Sequence, residues 1–233
     1  MSVKIRSKGF LARRLPIVLK TLQSLHLVYL SRRSSRRTFT QMYRTNGWCG
    51  CESLSGAGST LLATEPLRAL LPQIIHDFKI SSLLDAGCGD FNWMKEINFG
   101  IVDYIGVDVV DEVIARNISL YSSDKHHFTT ADVTRDDLPK VDLILCRDCL
   151  THLPNTRALL ALRQFKRSGS VYLLTTTHPH LAENADTFIG GYRPLNLERS
   201  PFDLPPPMMM DASSAFGTLG LWRLSNIPVI GES

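Results

Sequence analysis

Asp85, Asp108 and Asp132 each lie at the end of a short apolar run, and the turn Gly87-Cys88-Gly89 follows the first of them. In an open parallel sheet, ligands bind beyond the carboxyl ends of the strands. Three carboxylates gathered there suit a ligand rich in hydroxyls and amines. Asp108 follows Gly87 by roughly twenty residues, the spacing at which an acid accepts ribose hydroxyls. A dinucleotide fingerprint would need a third glycine where Asn92 stands. Asp85 would also set a negative charge against a pyrophosphate. A ligand with a cationic amine and no phosphate fits the pattern better.

A second group of residues follows the fourth apolar run: Cys146, Arg147, Asp148, Cys149 and His152. Histidine is the usual base near neutral pH, so His152 is the candidate base, oriented by Asp148. His178, after the fifth run, is the alternative. Loop capping or packing remains open for all three. Arg147 and Arg193 could hold an anionic group. Trp93, Tyr192 and Trp48 could wall a substrate pocket, with core packing the equal alternative. Cys146 and Cys149 form a C-x-x-C, but no matching His pair follows and the Cys49-x-Cys51 spacing is wrong for zinc. Five cysteines, an odd number, read as reduced thiols, and no metal is expected.

These residues need elements to position them. Residues 81–85, 103–108, 127–132, 141–146 and 170–177 read as strands. Helices read over 64–78, 110–121 and 155–166, with a short helix after the glycine turn capped by Asp90. Strands alternating with helices predict an α/β, Rossmann-like, doubly wound and mostly parallel sheet. Residues 216–224 add an antiparallel edge strand. Residues 39–61 read as an aromatic and glycine-rich flap or linker. Residues 178–213 are a proline-rich irregular excursion, the candidate substrate loop. In it, Met208 to Met210 suit an adaptable apolar contact.

Leu83-Leu84-Asp85-Ala86-Gly87-Cys88-Gly89 resembles motif I of the class I S-adenosylmethionine-dependent methyltransferases. The acids ending strands one to three match as well. The segments Asp85 to Met94, Leu145 to His152 and Gly191 to Leu197 resemble a little-characterised subgroup of that family. The family's third motif I glycine is Phe91 here. The resemblance, over about residues 62–224 of a domain assigned to 62–233, implies S-adenosyl-L-methionine as cofactor. It implies that the Asp85 region, Gly87 and Gly89 hold its amino-acid end. Asp108 would bind the ribose, Val109 the adenine face, Asp132 the adenine amine and Val133 the ring. Cys146 and Arg147 would line the methyl-donor side. The expected acceptor is a small molecule or glycan, methylated on oxygen. A non-catalytic binding protein of the same fold is the alternative, with a protein or nucleic-acid methyltransferase the lesser one.

Charge divides the chain. Residues 1–51 carry eleven Lys and Arg and no acid, whereas the remainder carries fifteen basic and twenty-two acidic residues. An acidic body argues against a nucleic-acid partner. The arm, residues 1–38, has leucines at helical spacing over 15–30 among Arg pairs. It reads as a helix packed on the body or a loose tail, as an amphipathic segment on an anionic membrane, or as an organelle-targeting peptide. The expected location is cytoplasmic, with targeting or peripheral membrane contact as alternatives.

Overall fold

Side chains that alternate in direction along continuously apolar central strands decide the layers. In β1 (Ser82–Ala86) and β4 (Leu143–Cys146), successive side chains point to opposite faces. Leu84, Ala86, Ile144 and Cys146 join one core with Ala158, Leu162 and Phe165. Leu83, Leu143 and Leu145 join the other with Leu67, Leu71 and Ile74. The sheet is therefore buried on both faces, as apolar parallel strands require. The computed structural model describes residues 34–100, 102–211 and 217–228.

The remaining strands are β2 (Asp103–Asp108), β3 (His126–Thr130), β5 (Tyr172–Thr177), β6 (Met209–Asp211) and β7 (Thr218–Arg223). Their order in one seven-stranded sheet is β3-β2-β1-β4-β5-β7-β6. β1 pairs in parallel with β2 and β4, β2 with β3, and β4 with β5. β7 runs antiparallel to β5 and β6. The order reverses between the neighbouring strands β1 and β4, which is where a crevice opens beyond the strand ends.

Four α-helices accompany the sheet among the described residues: α1 (Ser35–Arg44), α2 (Leu61–Asp77), α3 (Asp111–Tyr121) and α4 (Asn155–Arg167). α2 starts earlier than expected. The Thr60 side chain accepts from Ala63 N at 3.2 Å and caps it, a local bond that outweighs the Pro66 signal. α1 straddles the boundary drawn at residue 38, and β6 forms inside the expected irregular excursion.

The helix expected after the glycine turn does not form. Only a single 3₁₀ turn, Met94–Glu96, follows. Asp90 is consequently no helix cap, because its carboxylate is turned to the 53–55 loop. Phe91, in the place of the third glycine, holds a left-handed φ of 59°. Its ring is fixed among Tyr104, Tyr121 and Phe128, each with its centroid 5.1 Å away. Aromatic packing supplies what glycine would supply by freedom, at a cost of order 1 kcal/mol in backbone strain.

The leucine-rich part of the arm lies outside the described residues. Within the described residues no helix is long and apolar enough to cross a membrane. No group of three or more His, Cys, Asp or Glu among them is arranged to hold a metal ion.

Candidate active site

The glycine turn is stapled to its neighbours before any ligand is considered. Gly87 N and Cys88 N both donate to the Val107 carbonyl, at 2.8 and 3.0 Å. Gly89 N donates to Asp108 Oδ2 at 3.2 Å, and Asn117 of α3 donates to Gly89 O at 2.8 Å. Gly87 and Gly89 have φ of 87° and 56°. A side chain at Gly89 would also meet Ser55 Oγ at 2.2 Å. Glycine is required there twice over, by backbone angle and by the approach of the loop above.

One pocket opens beside this turn. Gly87, Gly89, Asp108, Val109, Asp132 and Val133 line its inner end. Asp108 accepts Val110 N at 2.9 Å through Oδ1. Burial pushes its carboxyl above the usual range, and the backbone donors oppose that rise. Asp132 lies two residues past β3. Its Oδ1 takes Thr134 N at 3.0 Å and Thr134 Oγ1 at 2.7 Å. Val109 and Val133 supply apolar faces between the two acids.

Asp85 does not line the pocket. It is buried beneath it and accepts the Tyr104 hydroxyl at 2.8 Å. Burial pushes its carboxyl up to about 7; the Tyr104 hydrogen bond opposes the rise and the charge of Asp108 adds to it. Asp85 therefore faces the turn from below rather than a ligand from the side.

Residues 35–60 form the roof. Ser35, Phe39 and Tyr43 fall on one face of α1 at intervals of four and reach the pocket together. The opposite charges of Arg36 and Arg44 hold Asp111 and Glu112 at the start of α3. Trp48 stacks on Phe39, with centroids 6.1 Å apart, and presents an edge-to-face contact to His152 at 5.9 Å.

Three side chains from the sheet end then tie the loop that follows. Asp90 accepts Ser53 Oγ, Leu54 N and Ser55 Oγ at 2.9, 2.8 and 3.1 Å. Asn92 donates to Glu52 and to Ser59 O. Arg147 donates to Gly58 O at 2.8 Å.

His152 sits on the pocket wall at a 3₁₀ turn past β4. Its Nδ1 is 2.8 Å from the Gly191 carbonyl. A carbonyl only accepts, so Nδ1 carries the proton and Nε2 of the neutral ring is the free base. Burial lowers the His152 pKa below its ordinary value, against smaller raising contributions from the Gly191 hydrogen bond and the charge of Asp148. The expected orienting role of Asp148 is taken by Gly191. The Asp148 carboxylate is engaged by Arg147 at 3.2 Å and by Thr176 Oγ1 at 3.1 Å, and its charge reaches His152 only through space.

The other expected site residues lie elsewhere. His178 is engaged through Nδ1 by Leu195 N at 3.1 Å, and is not part of the pocket wall. Cys146 is fully buried in the core. Trp93 is buried under the Arg147 guanidinium, 5.8 Å from its ring centre. Arg193 is buried; it donates to Leu150 O and Asn155 Oδ1 and lies over Phe202. It braces the loop rather than facing a ligand. Tyr192 is exposed at the rim, 5.8 Å from the His152 ring.

Sequence reasoning read 39–61 as a flap or linker without assigning Phe39 and Tyr43 to the site, and missed Ser35 as a pocket residue and Asp90 and Asn92 as anchors of the roof. The spacing of the first three by four residues was the available signal. Nothing local marks the partners of the other two.

A model of the family described as "Methyltransferase domain" matches residues 59–199. The chain belongs to this family, the class I S-adenosylmethionine-dependent methyltransferases. No protein of curated function matches the sequence significantly. Among solved structures, one similar fold is the 1,6-didemethyltoxoflavin-N1-methyltransferase of Burkholderia thailandensis with bound 1,6-didemethyltoxoflavin and S-adenosylhomocysteine. It is 16% identical over 81% of this chain and 86% of its own, at a TM-score of 0.59. Another is magnesium protoporphyrin IX methyltransferase of Synechocystis PCC 6803 with bound S-adenosylmethionine. It is 12% identical over 83% of this chain and 97% of its own, at a TM-score of 0.56. The chain spans about half, 51%, of the [4+2]-cyclase SpnF, at a TM-score of 0.42.

The donor set of this pocket suits the family's cofactor. Asp108 and Asp132 are carboxylates placed for hydroxyl and amine donors, and Val109 and Val133 are flat apolar faces between them. A phosphate ligand would meet these acids with Arg147 already committed.

Proposed function

We propose that this protein methylates a hydroxyl of a small molecule, with His152 as general base. The observation that carries the reading is the His152–Gly191 contact, which leaves Nε2 as the free base on the wall of the pocket that the glycine turn and Asp108 also line. Small-molecule methyltransferases among the similar folds support the substrate class.

S-adenosylmethionine, when bound, supplies a methyl group already activated on a sulfonium. The chain's own residues do the rest. Asp108 accepts ribose hydroxyls, Asp132 the adenine amine, and Gly87 and Gly89 leave room for the amino-acid end. Val109 and Val133 cover the ring faces. The roof of residues 35–60 excludes water, which strengthens every electrostatic contact beneath it. His152 removes the acceptor proton at Nε2, while its Nδ1–H stays on Gly191 O. The nearby Asp148 charge favours the imidazolium that results. Positioned base catalysis of this kind is worth about 10²- to 10⁴-fold.

The test is a calorimetric titration with S-adenosylmethionine, followed by assay of S-adenosylhomocysteine release over a panel of hydroxylated small molecules. Absence of cofactor binding overturns the reading. Binding without turnover over the panel makes the protein a non-catalytic binder.

A further inference from the structure

Four rings run in sequence from the roof to the surface. The centroids of Phe39 and Trp48 are 6.1 Å apart, those of Trp48 and His152 5.9 Å, and those of His152 and Tyr192 5.8 Å. They come from α1, the loop after it, the turn past β4 and the 178–213 excursion, so only the fold makes the row continuous. Its outer end is open. Tyr192 is 61% exposed, and Phe188 beside it is 37% exposed, whereas Phe91, Phe128, Phe165 and Phe202 are buried. Phe188 neighbours this end because its ring lies 3.3 Å from where a side chain at Gly191 would begin.

The polar partners beside the row are equally informative. Among the described residues, Arg147 on the pocket wall and Arg193 beside His152 are committed to protein groups. Arg147 holds Gly58 O and Asp148 and covers Trp93, and its side chain is 7% exposed. Arg193 holds Leu150 O and Asn155 and covers Phe202, and it is 4% exposed. The pocket wall also carries two carboxylates, Asp108 and Asp132, the second with Arg135 Nε 3.9 Å from its Oδ2. A carboxylate or phosphate on the acceptor would be desolvated against these acids while Arg147, the cation among the described residues that line the pocket, is already engaged, which costs several kcal/mol. The row beside His152 is made of rings, which favour a flat apolar acceptor over a sugar.

We infer that the methyl acceptor is a planar, uncharged aromatic hydroxy compound, stacked along Phe39, Trp48 and Tyr192 with its hydroxyl at His152. The inference rests on the methyltransferase reading above and narrows its substrate. Ring stacking gives the orientation, and the engagement of Arg147 and Arg193 by protein groups gives the selectivity against anions. Tyr192 acts as a specificity residue at the rim, since its exposure means that it contributes little to the core.

The probes are naphthol, hydroxynaphthoate and methyl glucoside, each titrated against the full chain saturated with S-adenosylhomocysteine. Naphthol and hydroxynaphthoate are followed by their own fluorescence and the glucoside by calorimetry, so no turnover is needed. Naphthol is expected to bind, with hydroxynaphthoate at least about tenfold weaker and the glucoside undetected. Tyr192→Ala is expected to weaken naphthol about tenfold with cofactor affinity unchanged, and Trp48→Phe to weaken it less. Equal or tighter binding of the anion, binding of the glucoside alone, or an unaltered Tyr192→Ala variant overturns the inference. A chain that fails to bind S-adenosylmethionine in a separate titration overturns the methyltransferase reading instead, so the two failures are told apart.

Discussion

Nδ1 of His152 lies 2.8 Å from the carbonyl oxygen of Gly191, thirty-nine residues away in sequence. This one contact sets the ring's tautomer and orientation. It also couples the candidate base to the 178–213 excursion, because Gly190 N and Arg193 N return bonds to His152 O and Thr151 O at 2.9 and 3.1 Å. His152→Ala should lower kcat by about 10²- to 10⁴-fold and leave cofactor affinity within about twofold. Calorimetry beside steady-state kinetics reads the two separately. Unchanged kcat removes His152 as the base.

The same ring predicts a pH profile. Burial lowers the His152 pKa below 6.5, so the neutral, proton-accepting form persists to lower pH than for a free histidine. Turnover should be level from pH 7 upward and fall only below pH 6.5. An acidic limb centred above 6.5 contradicts the assignment.

Asp108 serves two backbone donors, Gly89 N and Val110 N, and faces the pocket as well. Asp108→Ala should abolish measurable cofactor binding, since it removes the ribose acceptor and loosens the turn. Asp108→Asn keeps the shape and should retain the fold, as circular dichroism would show, while weakening binding at least about tenfold. Cofactor affinity equal to that of the unmutated protein in Asp108→Asn would refute the ribose role.

Asp85 carries a linkage between pH and stability. Its pKa is about 7 in the folded chain against 3.8 as the ordinary value. Between those values the folded state holds a proton that the unfolded state has released. The contribution is therefore fully present below about pH 4 and is lost as pH rises through about 7. Asp85→Asn cannot ionise and still accepts from Tyr104, so its stability relative to the unmutated protein should rise from pH 5 to pH 8 by a few kcal/mol. Denaturant melts at both pH values measure it. A constant difference would place the Asp85 pKa near its ordinary value.

Asp90 is the peg that fastens the roof. It accepts from two serine hydroxyls and one backbone amide, and Ser53 and Asp90 are themselves buried. Asp90→Ala strands those donors and should cost about 1–3 kcal/mol. Hydrogen exchange should accelerate over residues 50–60 before it changes in β1 or β4. Uniform protection across the chain would show that the roof is held by other contacts.

The sequence by itself determined the layered sheet, the glycine turn and the acids at the strand ends, because apolar runs and turn chemistry are local. The apolar runs placed β1, β2, β4 and β5 within two residues of their ends. The resemblance of the Asp85 to Gly89 segment to motif I likewise survives in the turn that Val107 and Asn117 hold. Only the tertiary structure decided how those residues face. Asp85 and Asp108 look alike in sequence, each closing an apolar run. Yet Tyr104 on the neighbouring strand draws Asp85 beneath the turn and leaves Asp108 to the pocket. Asp90 has the local appearance of a helix cap, and its partners are thirty-five to thirty-seven residues upstream. Arg147 and Arg193 appear available to an anion until the fold surrounds them with carbonyls and rings. The physical reason is common to all of these. A buried polar group takes whichever partner the packing brings within about 3 Å, and packing joins segments that no local pattern relates.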